Sequence, residues 1–179
     1  MKKIIAILVV LVLALGFVAC ENEEVSDLTI EKAEIEDGKE FSFEGVTITI
    51  PDDYIEDELQ GLKLFYVDKY PQKTDNINFV SVSEKVSLSD CSKDNLEASY
   101  EASISSVGGT FEIIDYKTFK IDGKDSVKCV TESEMFGMKM TQTQYIVILD
   151  SNYVTITFTD GSGEYTKEFE DIASTISVK

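Results

Sequence analysis

The chain has 179 residues and a mass of 20.0 kDa, which fits one domain with a short appendage. Its 43% hydrophobic and 28% charged residues exclude a disordered chain and a membrane protein with several spans. All 16 basic residues are lysine, histidine is absent and the formal charge is -18, which excludes nucleophile–histidine pairs and imidazole metal sites and argues against nucleic acid as a ligand.

The first residues have the pattern of an export signal. Lys2 and Lys3 precede an apolar run at 4–19, and acidic rather than basic residues follow it. This run is shorter than the roughly 17 to 25 residues that a spanning helix needs, although a retained membrane helix is the alternative. We therefore expect residues 1–19 to be a signal peptide.

The segment Phe17-Val18-Ala19-Cys20 resembles a bacterial lipobox. The resemblance implies that Cys20 becomes the first mature residue and carries a diacyl group on its sulfur. Two acyl chains on one residue suffice for stable membrane anchoring. The expected location is the outer face of the cytoplasmic membrane.

Residues 20–38 form a strongly acidic stretch, in which Lys32 is the single basic residue. Such a segment repels itself and extends, so we interpret it as a tether between the anchor and the domain. The folded domain is then expected to cover residues 39–179.

Alternation of apolar and polar residues predicts the strands. The alternation is broken at Glu44-Gly45, and Asp122-Gly123 is typical of a tight hairpin turn. The segment 145–149 is apolar on both faces, which is typical of a central strand. The predicted strands cover 41–50, 63–70, 77–82, 111–121, 126–133, 139–149 and 153–159.

Two helices are predicted, one after Ser92 that ends at Gly108-Gly109, and one capped by Ser162. Strands without long crossovers, together with these helices, predict the α+β class with an antiparallel sheet of about 6 to 8 strands and helices packed on it. The apolar helix faces comprise Leu96, Tyr100, Ile104 and Val107 in the first helix, and Tyr165, Phe169, Ile172 and Ile176 in the second.

Three sequence segments of the domain resemble those of the PsbP, DcrB and yeast Mog superfamily. They are the opening 41–54, the strand Tyr153-Val-Thr-Ile-Thr-Phe158 and the closing 169–177. The resemblance implies an α-β-α sandwich and an adaptor or binding role. It transfers no binding residue, because fold does not determine function.

Cys91 and Cys129 are the two cysteines of the mature chain besides the anchor. In an exported protein they can form a disulfide, or they can be separate thiols with Cys129 in the core. Both interpretations stay open. A catalytic cysteine is not expected, since no histidine is present to activate it.

The hexapeptide 135–140 contains Met135, Phe136, Met138 and Met140, and thus every methionine of the mature chain. Met138 and Met140 are expected on the same face of a strand. Three interpretations are open: packing at the edge of the core, a patch for a binding partner, and a soft-metal site for Cu(I).

Acidic residues crowd two predicted loops, 52–58 and 160–164. Neither has the ligand spacing of a calcium loop, so a solvated acidic surface is expected rather than a metal site.

These observations predict a lipid-anchored extracytoplasmic binding or adaptor module that is not an enzyme and uses no cofactor. Its expected partners are the membrane, through the anchor at Cys20, and a protein or cell-surface ligand. The alternatives are an extracytoplasmic enzyme with carboxylate or Ser–Lys chemistry, and a lipoprotein that binds copper or calcium.

Overall fold

The computed structural model describes residues 32–59, 61–67, 75–135 and 137–179. The predicted signal peptide, Cys20 and most of the tether lie outside these residues. The described part contains ten strands and two α-helices, α1 and α2, with a short 3-10 helix (Leu88–Cys91) before α1. Their order is β1 (Gly38–Phe43), β2 (Val46–Pro51), β3 (Tyr54–Leu59), β4 (Leu62–Val67), β5 (Asn76–Val82), α1 (Lys93–Ser105), β6 (Thr110–Ile121), β7 (Lys124–Met135), β8 (Met138–Ile148), β9 (Tyr153–Asp160), α2 (Thr166–Ser174) and β10 (Ser177–Val178).

The strands form two antiparallel sheets, which confirms the predicted α+β class. The large sheet has seven strands in the order β3-β4-β5-β9-β8-β7-β6. The small sheet has three strands in the order β1-β2-β10, so that the chain ends beside its second strand. Among the described residues, no helix is both long and apolar enough to cross a membrane.

The large sheet is covered on both faces. On one face, here called the helix face, Leu96 and Tyr100 of α1 pack in a cluster with residues of β6, β7 and β8. On the other face, the small-sheet face, β2 and α2 pack on the large sheet in a second cluster. Burial of both faces explains why 145–149 is apolar throughout, since Tyr145 and Val147 join one cluster while Ile146 and Ile148 join the other.

Two hairpin turns follow the sequence prediction. Glu44 and Gly45 have φ of 48° and 93°, and Asp122 and Gly123 have φ of 48° and 82°. Positive φ at both central residues matches the right-handed twist of the paired strands, and glycine adopts it without a steric penalty.

The prediction of a loop over 52–58 is wrong, because β3 occupies most of it. Its polar residues lie at the edge of the large sheet, where Lys63 of the neighbouring strand forms ion pairs with Glu56 at 3.6 Å and Glu58 at 3.1 Å. An edge strand tolerates charges because one of its sides is open to solvent.

The predicted helix boundaries are wrong at two places. Ser162 does not cap α2, whose N-cap is Tyr165; instead the Ser162 hydroxyl donates to Asp75 Oδ1 at 2.9 Å. In the first helix, α1 ends at Ser105, and Val107 therefore lies exposed beyond it rather than on the buried face.

Candidate functional site

The structure separates the methionines of the hexapeptide. Met135, the last residue of β7, is 3% exposed, whereas Met138, the first residue of β8, is 47% exposed. Met140 is partly buried, and Phe136 lies outside the described residues. We call Met135, Met138 and Met140 the methionine hairpin.

Met135 packs at the base of this hairpin, against the segment that connects α1 to β6. A Cβ atom built on Gly109 would lie 2.6 Å from Met135 Cγ and 2.8 Å from Ile104 Cγ2, so only glycine leaves room for the methionine side chain. Met135 therefore belongs to the core, while Met138 projects into solvent from a hairpin that Met135 holds.

Met138 and Met140 share a face of the sheet, as expected. Met135 pairs with Met138 and Ser133 with Met140 across β7 and β8, in the same register that pairs Cys129 with Gln144. Residues directly opposite each other in antiparallel strands point to one face. Because Cys129 belongs to the cluster under α1, the methionine hairpin lies on the helix face.

A patch of six uncharged polar side chains continues this face beside the methionine hairpin. Across β5, β9 and β8 the register aligns these residues in two rows of three, and all six are buried. We call them the polar patch: Asn76, Thr159 and Gln142 in one row, and Asn78, Thr157 and Gln144 in the other.

Hydrogen bonds join members of the polar patch to one another and to α1. Gln142 Nε2 donates to Thr159 Oγ1 at 3.1 Å, and Asn78 Nδ2 donates to Asn76 Oδ1 at 3.2 Å. The Tyr100 hydroxyl of α1 donates to Gln144 Oε1. Such a network orients amide and hydroxyl groups and contains neither a nucleophile–base pair nor a charge.

Two buried hydroxyl groups, those of Tyr100 and Ser133, lie near this patch. Burial raises the pKa of the Tyr100 hydroxyl well above its ordinary value, so the group is a neutral hydrogen-bond donor at physiological pH. Ser133 Oγ, opposite Met140, is buried and has no hydrogen-bond partner among the described residues. An unpaired buried hydroxyl costs stability, and it marks a polar position next to the methionine hairpin.

Cys91 and Cys129 are free thiols buried in one core cluster. Burial raises the pKa of Cys91 to about 12 and that of Cys129 to about 11, which keeps both protonated and poorly nucleophilic at neutral pH. Their neighbours differ. The negative charge of Asp90 also raises the pKa of Cys91, while a hydrogen bond with the Tyr100 side chain partly offsets the effect of burial on the pKa of Cys129. The disulfide and the two separate thiols stay alternative hypotheses, which alkylation distinguishes.

The acidic segment 160–164 is only partly a solvated surface. Asp160 is buried, and its carboxylate accepts from Gly163 N at 2.6 Å and Thr166 Oγ1 at 2.7 Å. The buried carboxylate of Asp75 accepts from the backbone of the same loop, at 3.0 Å from Gly161 N. These two carboxylates shape the loop that leads into α2.

Among the described residues, no group of three or more aspartate, glutamate or cysteine side chains is arranged to hold a metal ion. The exposed acidic side chains of β3 lie instead along one edge of the large sheet, with Lys63 beside them.

Comparisons with known proteins identify the fold. No family model and no curated protein matches the sequence. Cyanobacterial PsbP (CyanoP) from Synechocystis superposes with a TM-score of 0.63 at 13% identity, over 82% of this chain and 95% of that chain. A protein from Bacteroides thetaiotaomicron superposes with a TM-score of 0.53 at 18% identity, over 80% of this chain and 49% of that chain. At these identities the likeness concerns the fold, and the domain described here has a PsbP-like α+β fold.

Proposed function

We propose that this chain is a lipid-anchored, extracytoplasmic binding module without catalytic activity, and that it recognises a protein or cell-surface ligand through the methionine hairpin. The observation that carries the proposal is the contrast between Met138, 47% exposed, and Met135, 3% exposed, within one hairpin.

The hairpin offers an apolar contact on a rigid support. Because Met135 is packed against Gly109 and the end of α1, the Met138 side chain is presented from a hairpin whose base is fixed in the core. A preorganised contact loses less conformational entropy on binding than a mobile one. Exposed apolar side chains concentrated at one place are more often contact sites than isolated ones are, and a few such anchors can dominate a small interface.

The residues beside the hairpin support it from below and are not part of the contact surface. The polar patch lies on the same face but is buried, and its hydrogen bonds join β8, which carries Met138, to β9 and α1. The remainder of the proposal comes from the sequence: Cys20 supplies the anchor, and the acidic tether holds the domain away from the membrane.

The test compares capture of envelope components by the full-length chain and by Met138→Ser. Leu59→Ser is the matched control, since Leu59 is 43% exposed on β3, an edge strand of the large sheet that lies four strands away from β8. We expect Met138→Ser to reduce recovery of a specific component at least several-fold, while Leu59→Ser leaves it unchanged. Equal recovery by all three proteins, with equal stability, would remove the hairpin from the binding surface.

A further inference from the structure

The thioether side chains of the methionine hairpin lie close together on one face of the large sheet. Met135 and Met138 are directly opposite each other across β7 and β8, and Met140 follows two residues along β8 on the same face. Opposite Cβ atoms in antiparallel strands are about 4.5–5.5 Å apart, and alternate residues of one strand are about 7 Å apart. Because the methionine side chain is long, unbranched and flexible, the sulfur atoms of all three residues can reach one common point.

A small residue occupies the remaining position of this group. Ser133 is opposite Met140 across the same two strands and is 5% exposed. Because serine is much shorter than methionine, the methionine side chains have room to converge above it. The Ser133 hydroxyl has no hydrogen-bond partner among the described residues, as expected where thioethers, which are weak acceptors, cover it.

A group of thioethers has a definite preference among metal ions. Thioether sulfur is a soft, uncharged ligand that selects Cu(I), whereas Ca²⁺ and Mg²⁺ take oxygen ligands and Zn²⁺ takes thiolate, imidazole or carboxylate. Exposure increases from 3% at Met135 to 47% at Met138, so an ion between them is shielded on the core side and accessible from solvent. From this arrangement we propose that Met135, Met138 and Met140 together bind one Cu(I) ion.

The charge of the chain favours a cation at this position. The formal charge is -18, which attracts cations to the surface of the protein. Lys139, between the two methionines of β8, belongs to the other face of the sheet, where it is opposite Glu134. The inference goes beyond the proposed function and does not depend on it, because contact between the hairpin and a partner requires no metal.

Titration with Cu(I) under argon tests the site on the full-length chain purified in detergent. The methionine methyl groups are labelled with carbon-13 and observed by NMR, and the affinity is measured in competition with a Cu(I) chelator. We expect the methyl signals of Met135, Met138 and Met140 to shift together and to stop shifting at one Cu(I) per chain. Zn²⁺ and Ca²⁺ should leave these signals in place.

Two conservative variants identify the ligands. Met138→Leu and Met140→Leu each remove one sulfur atom but keep an apolar side chain of similar volume, and each also assigns the methyl signal that disappears. Each should lower the Cu(I) affinity at least about tenfold, since loss of a ligand costs no less than loss of its supporting contacts. Lys139→Gln is the matched control on the opposite face, and its affinity should stay within about twofold of the original.

The same variants separate this site from the cysteines, because Cys91 and Cys129 remain in all of them. Urea unfolding of each variant establishes that it is folded as the original chain is. Methionine signals that do not shift with Cu(I), signals that shift equally with Zn²⁺, or a Cu(I) affinity that is the same in both leucine variants as in the original chain would each overturn the proposal.

Discussion

The division of the methionine hairpin into a buried and an exposed part has a measurable consequence for stability. Met135→Ala removes a side chain that is 3% exposed and packed against Gly109. Truncation of a buried methionine to alanine costs about 2–5 kcal/mol of folding free energy. Met135 lies at the end of a strand, where neighbouring groups can relax into the space, so we expect a loss of about 2–3 kcal/mol.

Urea unfolding followed by circular dichroism measures this loss directly, and Met138→Ala is the matched control. Met138 is 47% exposed, and surface truncations usually change stability by less than about 0.5 kcal/mol. The unfolding midpoint should therefore fall clearly for Met135→Ala and scarcely for Met138→Ala, with the slope unchanged in both. Equal losses in the two variants, or no loss for Met135→Ala, would refute the conclusion that Met135 anchors the hairpin.

Three further predictions concern anchoring, pH and the thiols. Cys20→Ala should abolish palmitate labelling and normal maturation; labelled protein that persists in this variant would contradict the lipobox interpretation. Burial raises the pKa of Tyr145 from 10.0 to about 12 and that of Cys129 from 9.0 to about 11, so the folded state keeps protons that the unfolded state releases. These two groups should therefore leave stability in urea unchanged between neutral pH and pH 9 and lower it as the pH rises from 9 to 12, and a constant stability over that window would count against this burial. Alkylation in denaturant without reduction should add to both Cys91 and Cys129, because both are free thiols in the structure; intact-mass analysis that finds neither modified would show that they pair.

The sequence predicts the strands best where local pattern and tertiary burial agree. Segment 145–149 is apolar on both faces and proves to be a central strand between two core clusters. The turn at Asp122-Gly123 was predictable because aspartate and glycine readily adopt the positive φ that it requires, whereas at Glu44-Gly45 the sequence indicated only a break between strands. By contrast, β3 was not predicted because Glu and Asp are depleted in strands, and its run of three acids is accommodated by its position at the edge of the sheet.

The candidate site was only partly predictable. The alternation of Asn76 with Asn78 and of Gln142 with Gln144 has the period of a strand, but the same pattern is typical of a solvent-exposed face. Their burial depends on segments distant in sequence that pack on the sheet, which no local pattern encodes. Likewise, the six-residue segment that contains Met135 and Met138 does not distinguish them, because the packing against Met135 involves Gly109, which lies between α1 and β6.

The prediction that Ser162 caps α2 was wrong for the same reason. A serine before an apolar repeat is a good candidate for an N-cap, but Asp75, from a distant part of the chain, accepts the Ser162 hydroxyl and holds the loop. Interactions between remote residues thus decided the local role of this side chain.

The central claim, that the domain binds an envelope component through the methionine hairpin, is tested most directly by photo-cross-linking at that hairpin in the host cell. Benzoylphenylalanine at Met138 should give one discrete adduct with an envelope component, whereas the same group at Leu59, 43% exposed on the edge strand β3, should give none. No adduct at Met138, or the same adducts at both positions, would contradict the claim.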